Sequence, residues 1–279
     1  MLRRHSPEQR EHLKESALNN GDNKPTPGHW LLAKLGKKVL RPGGLALTQR
    51  LLRAATPSST DRVVEFGPGV GTTAKILLAG QPRSYTGIDP HPEGSEAVHA
   101  IISGLDFAQL VIADAQNTGL DAGCADLVVG EAMLTMQGEK AKRAIIAEAF
   151  RLLAPGGRYA IHELGLRPDD VPDAVEEEIR RALSRTINVN ARPLTAAQWK
   201  TLLEEEGFII RYEDTNPMAL LEPGRIIADE GLAGALRFFS NVARNPRARE
   251  RLLAMRKVFR AHHEHLCAFA FVAVKPHEA

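Results

Sequence analysis

The chain has 279 residues, of which 43% are hydrophobic and 25% are charged, and its 36 basic and 34 acidic residues leave a net charge of +2. This composition is typical of a globular protein with a sizeable core, and so small a net charge does not attract a polyanion such as nucleic acid. No apolar run approaches the roughly 20 residues that cross a bilayer, and the two cysteines lack the spacing of metal ligands or of a disulfide framework. We therefore expect a cytoplasmic protein without membrane insertion and without a nucleic-acid partner.

Residues 1–55 form an N-terminal region that precedes the first strand. Residues 1–24 are polar and end in a cluster of turn-forming residues, which indicates an arm or a short capping helix. Apolar residues at helical spacing predict one helix over 29–40 and a second over 45–54, separated by Arg-Pro-Gly-Gly. We expect these helices to cap a larger domain that spans residues 56–279.

Strands and helices alternate from residue 62 onwards. We predict strands at 62–66, 84–89, 108–114, 125–130 and 157–164, with helices between them at 72–78, 94–103 and 139–153. The strands are short and apolar, which is typical of parallel strands covered on both faces. The expected fold class is α/β, a doubly wound, Rossmann-like sheet.

The second half of the chain contains two insertions. Residues 166–192 include a charged helix, and residues 215–263 are mostly helical with interruptions at prolines. Between the insertions, Thr195 is a candidate N-cap for a helix that ends near Gly207 and leads into a strand over 208–214. A last strand is predicted over 266–276.

A glycine-rich loop follows the first strand. In the sequence Glu65-Phe-Gly67-Pro68-Gly69-Val-Gly71, glycines at alternate positions let the backbone turn sharply and let a ligand approach without meeting a Cβ atom. The helix that begins next offers unpaired N–H groups. Glycine-rich turns also join strands to helices with nothing bound, so this loop alone is weak evidence of a binding site.

Two further carboxylates close neighbouring strands. Asp89, next to Pro90, ends the second strand, where a carboxylate accepts both hydroxyls of a ribose; Asp114 ends the third, where it and the Ala115 backbone suit an adenine edge. A pyrophosphate would be repelled by Glu65 beside the loop, whereas the cationic S-adenosylmethionine (SAM) is favoured by it. The pattern therefore favours SAM over a nicotinamide dinucleotide.

Several segments together resemble the successive motifs of class I SAM-dependent methyltransferases, especially the small-molecule branch that includes quinone-biosynthesis, sterol and arsenite methyltransferases. These segments are VVEFGPGVG (63–71), IADA (112–115), DLVVGEAML (126–134) and RLLAPGGRYAIHEL (151–164). The resemblance covers residues 61–164 well and implies a seven-stranded, mostly parallel sheet with an antiparallel last strand. It also implies that the two insertions build the acceptor pocket and its lid.

Carried over by position, the resemblance implies that Gly67, Gly69 and Gly71 line the methionine part of SAM, with Asp89 at the ribose and Asp114 at the adenine. Neighbouring Pro68, Pro90 and Ala115 belong to the same predicted cofactor site, and Glu65 is expected near the methionine end. Glu131 follows the fourth strand, where this family closes the site beneath the methyl group. The sequence Gly-Glu-Ala-Met at 130–133 differs from the Asn/Asp-Pro-Pro-aromatic motif of relatives that methylate nucleic-acid amines.

The implied activity is methyl transfer from SAM, which becomes S-adenosylhomocysteine, to an oxygen, sulfur or carbon nucleophile of a small molecule. Such an acceptor often loses a proton, and His162 is the first candidate base and Glu131 the second; a structural histidine at a strand end is equally consistent with the sequence. Two alternatives remain open: a non-catalytic SAM-binding sensor or scaffold subunit, and, less favoured, a nicotinamide-dependent oxidoreductase. We predict no metal site, although His262, His263 and His265 lie close together, and we expect a homodimer.

Overall fold

A mixed sheet forms the centre of the computed structural model, which describes residues 26–91 and 95–277; the arm predicted for residues 1–24 lies outside these ranges. The strands are β1 (Arg62–Phe66), β2 (Ser84–Ile88), β3 (Ala108–Val111), β4 (Ala125–Glu131), β5 (Leu153–Leu166), β6 (Leu194–Thr195), β7 (Ile209–Pro217) and β8 (Leu266–Val274). The helices are α1 (Gly28–Lys34), α2 (Gly44–Ala55), α3 (Thr72–Ala79), α4 (Ser95–Ile102), α5 (Glu139–Leu152), α6 (Asp173–Ile187), α7 (Ala196–Glu205), α8 (Pro223–Arg244) and α9 (Pro246–Ala261), with a 3₁₀ turn at Leu134–Met136.

The strand order is β3-β2-β1-β4-β5-β8-β7, and the two-residue β6 pairs with the end of β5. Strand β8 runs antiparallel to both β5 and β7, whereas the other paired strands are parallel. The predicted fold class is thereby confirmed, including the antiparallel last strand. The chain order reverses between β1 and β4, and open α/β sheets bind ligands at the carboxyl ends of the strands at such a point.

Alternating side chains of the strands enter two separate cores. Val64 and Phe66 of β1 pack with α5 and α7 on one face, whereas Val63 packs with α2, α3 and α4 on the other. This arrangement explains the continuous apolar runs, because both faces of the strands are covered. Helix α2 lies directly on the sheet, and the domain boundary predicted at residues 55 and 56 stays a prediction.

The insertions and α1 share a third core. Phe238 and Met255 of α8 and α9 are fully buried, and they pack with residues of α1 and α6. Phe259 and Met218 belong to the same cluster, so these large apolar side chains stabilise the helical cap. Helices α8 and α9 each have a proline in the first turn, where its missing N–H costs no hydrogen bond.

The structure differs from the sequence prediction mainly at element ends. The predicted helix over 29–40 is too long, because α1 ends at Lys34 and Gly36 adopts a φ of +97° that a helix does not allow. Strand β3 ends at Val111, three residues before Asp114, and β5 begins at Leu153 rather than Gly157. Over the described ranges, no helix is long and apolar enough to cross a membrane.

Candidate active site

The glycine loop leaves β1 with three glycines in the left-handed region. Gly67, Gly69 and Gly71 have φ values of +63°, +54° and +74°. A Cβ atom at Gly71 would lie 2.2 Å from Cδ1 of Ile101, so any other residue here would displace that side chain in addition to straining the left-handed backbone. At Gly67 and Gly69 the nearest atoms would be 3.9 and 3.8 Å away, which leaves their backbone open on the outer side of the loop. The loop is thus fixed at one end and accessible to a ligand at the other.

The ends of β1, β2 and β3 lie side by side at one edge of the sheet. Phe66 pairs with Ile88, and Ile88 with Val111, so the residues that follow these strands emerge together. Asp89 comes directly after β2, is 7% exposed, and accepts a hydrogen bond from the backbone N–H of His91 at 2.9 Å. The structure places it next to the glycine loop, as the sequence predicts from the strand order.

Asp114 lies further along the same edge, in the loop after β3. Its Oδ1 accepts the backbone N–H of Gln116 at 2.8 Å, an Asx turn that orients the carboxylate, and the side chain is exposed. Ala115 beside it is buried, while Ile112 at the end of β3 is 53% exposed. A large apolar side chain next to an accessible carboxylate and a buried backbone suits the flat, partly polar ring of an adenine.

Glu65 is buried beneath the loop rather than exposed at the edge. It is 4% exposed, and its Oε2 accepts the hydroxyl of Tyr85 at 2.6 Å. Burial raises the pKa of this carboxyl to about 7, and the nearby negative charge of Glu131 adds to the effect. A carboxyl with a pKa near neutrality at the base of an open loop is the kind of group found at functional sites.

Glu131 is the centre of a polar cluster at the end of β4. Its Oε1 accepts the hydroxyl of Thr48 at 2.5 Å and lies 3.1 Å from Nδ1 of His162; its Oε2 lies 3.0 Å from Arg41 and accepts the hydroxyl of Thr73. Burial opposes ionisation, yet the charge of Arg41 and the hydrogen bonds from His162 and Thr48 lower the pKa of Glu131 to about 2. This carboxylate is therefore ionised and held on both oxygens.

His162 is completely buried in β5, and both its ring nitrogens have protein partners. Nε2 accepts the backbone N–H of Gly43 at 3.2 Å, so the neutral ring carries its proton on Nδ1 and donates it to Glu131. The neighbouring Glu163 points to the opposite face, as alternation requires, and accepts the backbone N–H groups of the turn after β4. Neither side chain offers a free atom in this arrangement.

Residues 37–45, here called the N-terminal strap, cross over the site and are fastened at several points. Oε1 of Glu230 accepts the N–H groups of Lys38 and Val39, each at 2.9 Å. Oδ1 of Asp229 accepts the N–H of Leu45 at 2.9 Å, and the hydroxyl of Thr72 in α3 donates to the carbonyl of Lys38. The strap therefore joins the glycine-loop helix to α8 of the second insertion.

The structure brings together most of the predicted site residues and adds three. Glu65, Glu131 and His162 lie beneath the glycine loop and the strap, and Asp89 and Asp114 follow along the edge. Arg41, Thr48 and Thr73, which bind Glu131, were not identified from the sequence. The only signal was the position of Thr73 in the first turn of the helix after the glycine loop.

The histidines near the C-terminus lie elsewhere. Nδ1 of His263 is 2.9 Å from the carbonyl of Arg260, and Nδ1 of His265 is 3.0 Å from that of Arg167. Within the described ranges, no group of three His, Cys, Asp or Glu side chains is arranged to hold a metal ion. Hydrogen bonds to backbone carbonyls at the start of β8 account for these two side chains.

This combination of sheet and site agrees with comparisons to known proteins. A family model described as a methyltransferase domain matches residues 39–213, more than half of the chain. The chain belongs to this family of class I SAM-dependent methyltransferases, and SAM is its cofactor. The residues present fit that molecule, because the loop backbone is open at Gly67 and Gly69 and carboxylates suited to its ribose, adenine and ammonium groups lie around it.

Two relatives extend the likeness beyond the family model. An uncharacterized protein of Haemophilus influenzae is 35% identical over 237 residues, which cover 83% of this chain and 91% of the relative. A SAM-dependent Diels-Alderase of Talaromyces variabilis is 30% identical over 193 residues, 66% of this chain and 63% of the relative. The first match includes nearly the whole relative and most of this chain.

Solved structures share the fold at low sequence identity. The [4+2]-cyclase SpnF is 17% identical with a TM-score of 0.67, over 91% of this chain and 98% of the cyclase. A proposed sarcosine dimethylglycine methyltransferase of Galdieria sulphuraria is 14% identical with a TM-score of 0.65, over 83% of this chain and 84% of that protein. One architecture thus supports both methyl transfer and cyclisation in these proteins.

Proposed function

We propose that this protein transfers the methyl group of SAM to an oxygen, sulfur or carbon nucleophile of a small molecule. The observation that carries the proposal is the open backbone of Gly67 and Gly69 beside carboxylates at the ends of adjacent strands. When bound, SAM supplies a methyl group on a sulfonium that is already activated, so the protein's main task is to hold the two reactants in line.

Each part of the cofactor has a proposed partner. Gly67 and Gly69, with Pro68 between them, approach the methionine portion, and the Glu65 carboxyl below the loop faces its ammonium group. Asp89, next to Pro90, binds the ribose hydroxyls. Asp114 and the backbone of Ala115 bind the adenine edge, and half-exposed Ile112 packs against the ring. Gly71 packs its α-carbon against Ile101, and its predicted place beside the methionine portion stays a prediction.

We propose that Glu131 and His162 act as positioning residues. Every described polar atom of the two side chains has a protein partner, so neither is free to accept a proton from the acceptor. Their contacts with Arg41 and Gly43 instead fix the strap above the loop. The base role predicted for His162 would require Gly43 to release Nε2, and it stays a prediction that substitution can decide.

A direct test begins with calorimetric titration of the full chain with SAM, S-adenosylhomocysteine and NAD. We expect binding of the first two and none of NAD. Replacing Asp89 by Ala is expected to weaken SAM binding at least tenfold, since hydrogen bonds to a charged group contribute about 1.5–3 kcal/mol each. Asp106→Ala, which removes an exposed carboxylate from the surface, is the matched control. Tight NAD binding, or unchanged SAM binding in Asp89→Ala, would refute the proposal.

Turnover is tested by the release of S-adenosylhomocysteine over a panel of phenols, thiols, quinols and acidic carbon compounds. His162→Asn distinguishes the two roles of the histidine. A positioning residue mainly raises KM for SAM, whereas a general base lowers kcat and removes the acidic limb of the pH–rate profile. Binding of SAM without release of product across the panel would favour a sensor or scaffold subunit.

A second candidate function is SAM-dependent cyclisation. A relative that is 30% identical is named a SAM-dependent Diels-Alderase, and a pericyclic reaction needs no proton acceptor, which agrees with the occupied nitrogens of His162. In that case the acceptor would rearrange in the presence of SAM with no S-adenosylhomocysteine formed. Mass spectrometry of acceptor and cofactor together separates the two reactions, because only methylation adds 14 Da.

The predicted homodimer remains a proposal. Helix α8 exposes Leu232 and Leu236 by 71% and 70%, one turn apart on the same face. Light scattering of the wild type and of a Leu232→Ser, Leu236→Ser double variant tests it. A dimeric wild type together with a monomeric variant supports this face as the dimer contact. A monomeric wild type refutes the prediction.

A further inference from the structure

A second cleft, of about 460 Å³, opens between α5, α6 and α7. None of its lining residues belongs to the glycine loop, to the strand ends or to the cluster around Glu131. Four of the lining side chains are cationic: Lys142, Arg143, Arg180 and Arg192. The volume is that of a site for a small ligand, so the charge of the lining indicates which ligand it suits.

Lys142 lies at the bottom of this cation cluster. It is 2% exposed, its Nζ donates to the carbonyl of Arg192 at 2.6 Å, and it lies 5.4 Å from the ring centre of Trp199. Burial lowers its pKa to about 8; the negative charge of Glu163 opposes this shift, and the positive charges of Arg192 and Arg180 add to it. The three cations are therefore close enough to repel one another.

The two arginines have hydrogen-bonding capacity that the protein leaves unused. The Nε atoms of Arg180 and Arg192 are buried, and neither has a hydrogen-bond partner in the part of the chain that the structure describes. Arg180 reaches only Glu177, through Nη1 at 3.4 Å. A buried donor without an acceptor costs about 1–3 kcal/mol, so two such donors beside one cleft indicate an absent acceptor.

The carboxylates of the cleft do not neutralise these cations. Glu205 binds Arg143 at 2.6 Å, and Glu139 lies 3.8 Å from the same guanidinium. Glu176 lines the cleft as well, and among the described residues it forms no ion pair with Lys142 or Arg192. Glu205 and Glu139 are thus directed mainly to Arg143, while Glu177 pairs with Arg180 and the charge of Glu163 acts on Lys142. Among the described residues, the Arg192 guanidinium has no carboxylate partner.

We propose that this cleft binds a compact dianion, either a phosphate monoester or a dicarboxylate, through Lys142, Arg180 and Arg192. Its oxygens would accept from the guanidinium N–H groups of Arg180 and Arg192, and its charge would offset the repulsion among the three cations. Guanidinium groups bind both anions in the same planar manner, which is why the two chemistries share one site. This site is separate from the cofactor site and does not depend on the reaction proposed there.

Calorimetric titration of the full chain at pH 7 with inorganic phosphate and with malonate tests the proposal, with sodium chloride holding the ionic strength constant. We expect at least one of the two anions to bind. Tighter binding of phosphate indicates a phosphate monoester as the ligand, and tighter binding of malonate indicates a dicarboxylate. Arg192→Gln and Arg180→Gln are each expected to weaken that binding about tenfold or more, because each removes a charge-assisted hydrogen bond. Arg249→Gln, which removes an exposed arginine from α9, is expected to bind like the wild type.

Three results would overturn the proposal. In the first, neither anion gives a binding signal beyond that of sodium chloride. In the second, Arg192→Gln binds the anion as tightly as the wild type does. In the third, saturating S-adenosylhomocysteine displaces the anion, which would locate it at the cofactor site. Because the Arg192 guanidinium has no described protein partner, its replacement keeps the fold, and circular dichroism verifies this for each variant.

Discussion

The Glu65→Gln variant tests two effects of the buried Glu65 carboxyl: its cost to the stability of the fold and its proposed contribution to SAM binding. The side chain is buried, and its pKa rises from an ordinary value of 4.5 to about 7. That difference corresponds to about 3 kcal/mol of unfavourable free energy once the group is ionised in the folded protein. Glutamine keeps an oxygen that accepts the Tyr85 hydroxyl and carries no charge, so the variant avoids this cost.

The pH dependence of the stability follows from the protonation of Glu65 in the folded and the unfolded chain. Below pH 4.5 the carboxyl is protonated in both the folded and the unfolded chain, and the wild type has no penalty. Between about pH 4.5 and pH 7 the unfolded chain binds fewer protons at this carboxyl than the folded chain does. The free energy of unfolding therefore falls by about 3 kcal/mol over this interval and then levels off. Relative to the wild type, Glu65→Gln should therefore become more stable between about pH 4.5 and pH 7, and remain so above.

Urea unfolding of wild type and variant across this pH range measures the difference, with exposed Glu264→Gln as the control for losing one carboxylate. SAM affinity should move the opposite way, because the variant lacks the charge proposed to face the ammonium group. Near pH 7 SAM binding should also release protons from the wild type, which appears as a buffer-dependent enthalpy. Parallel stability profiles for wild type and Glu65→Gln would refute the reasoning.

Four other substitutions have defined outcomes. Glu131→Gln should cost about 3 kcal/mol in urea unfolding at pH 7, because its pKa of about 2 gives stability that is present above pH 4.5 and lost as pH falls through 2; equal stability at pH 7 would contradict this. Gly71→Ala and Gly69→Ala both place a Cβ on left-handed backbone; Gly71→Ala, which also displaces Ile101, should lower Tm by several degrees more, whereas Gly69→Ala should in addition weaken SAM binding. Lys37→Met leaves Asp229 without its cation and should speed proteolysis of the strap. Unchanged cleavage kinetics would show that the Lys37–Asp229 ion pair does not hold the strap in place.

The sheet was predictable because its signals are local. Strands β1 and β2 are short, mainly apolar runs that stop before a glycine and an aspartate: Phe66 precedes Gly67, and Ile88 precedes Asp89. The helix after residue 195 was equally clear, since Thr195 forms a capping box with its first turn. Errors occur where tertiary contacts decide an element's length, as at α1.

The cluster around Glu131 was not predictable in the same way. Arg41 and Thr48 come from the N-terminal region, Thr73 from the helix after the glycine loop and His162 from β5. No sequence spacing relates these positions, and only the packing of α2 on the sheet brings them together. The location of His162 at a strand end predicted a general base. Its hydrogen bonds to Gly43 and Glu131 depend on the packing of the N-terminal region on the sheet, which the sequence does not reveal.

Glu65 and Glu131 show that partners, rather than burial, decide which carboxylate in this site is charged. Both are buried on the same face of neighbouring strands, yet one pKa is about 7 and the other about 2. Glu131 has Arg41 and two hydroxyl donors, and Glu65 has a single phenol. The ionised member thus holds the strap, and we propose that the second carboxyl gains its counter-ion from the cationic ligand. Under this proposal, pairing one carboxylate with Arg41 while the other has no cation makes the site favour a positively charged cofactor over a dinucleotide.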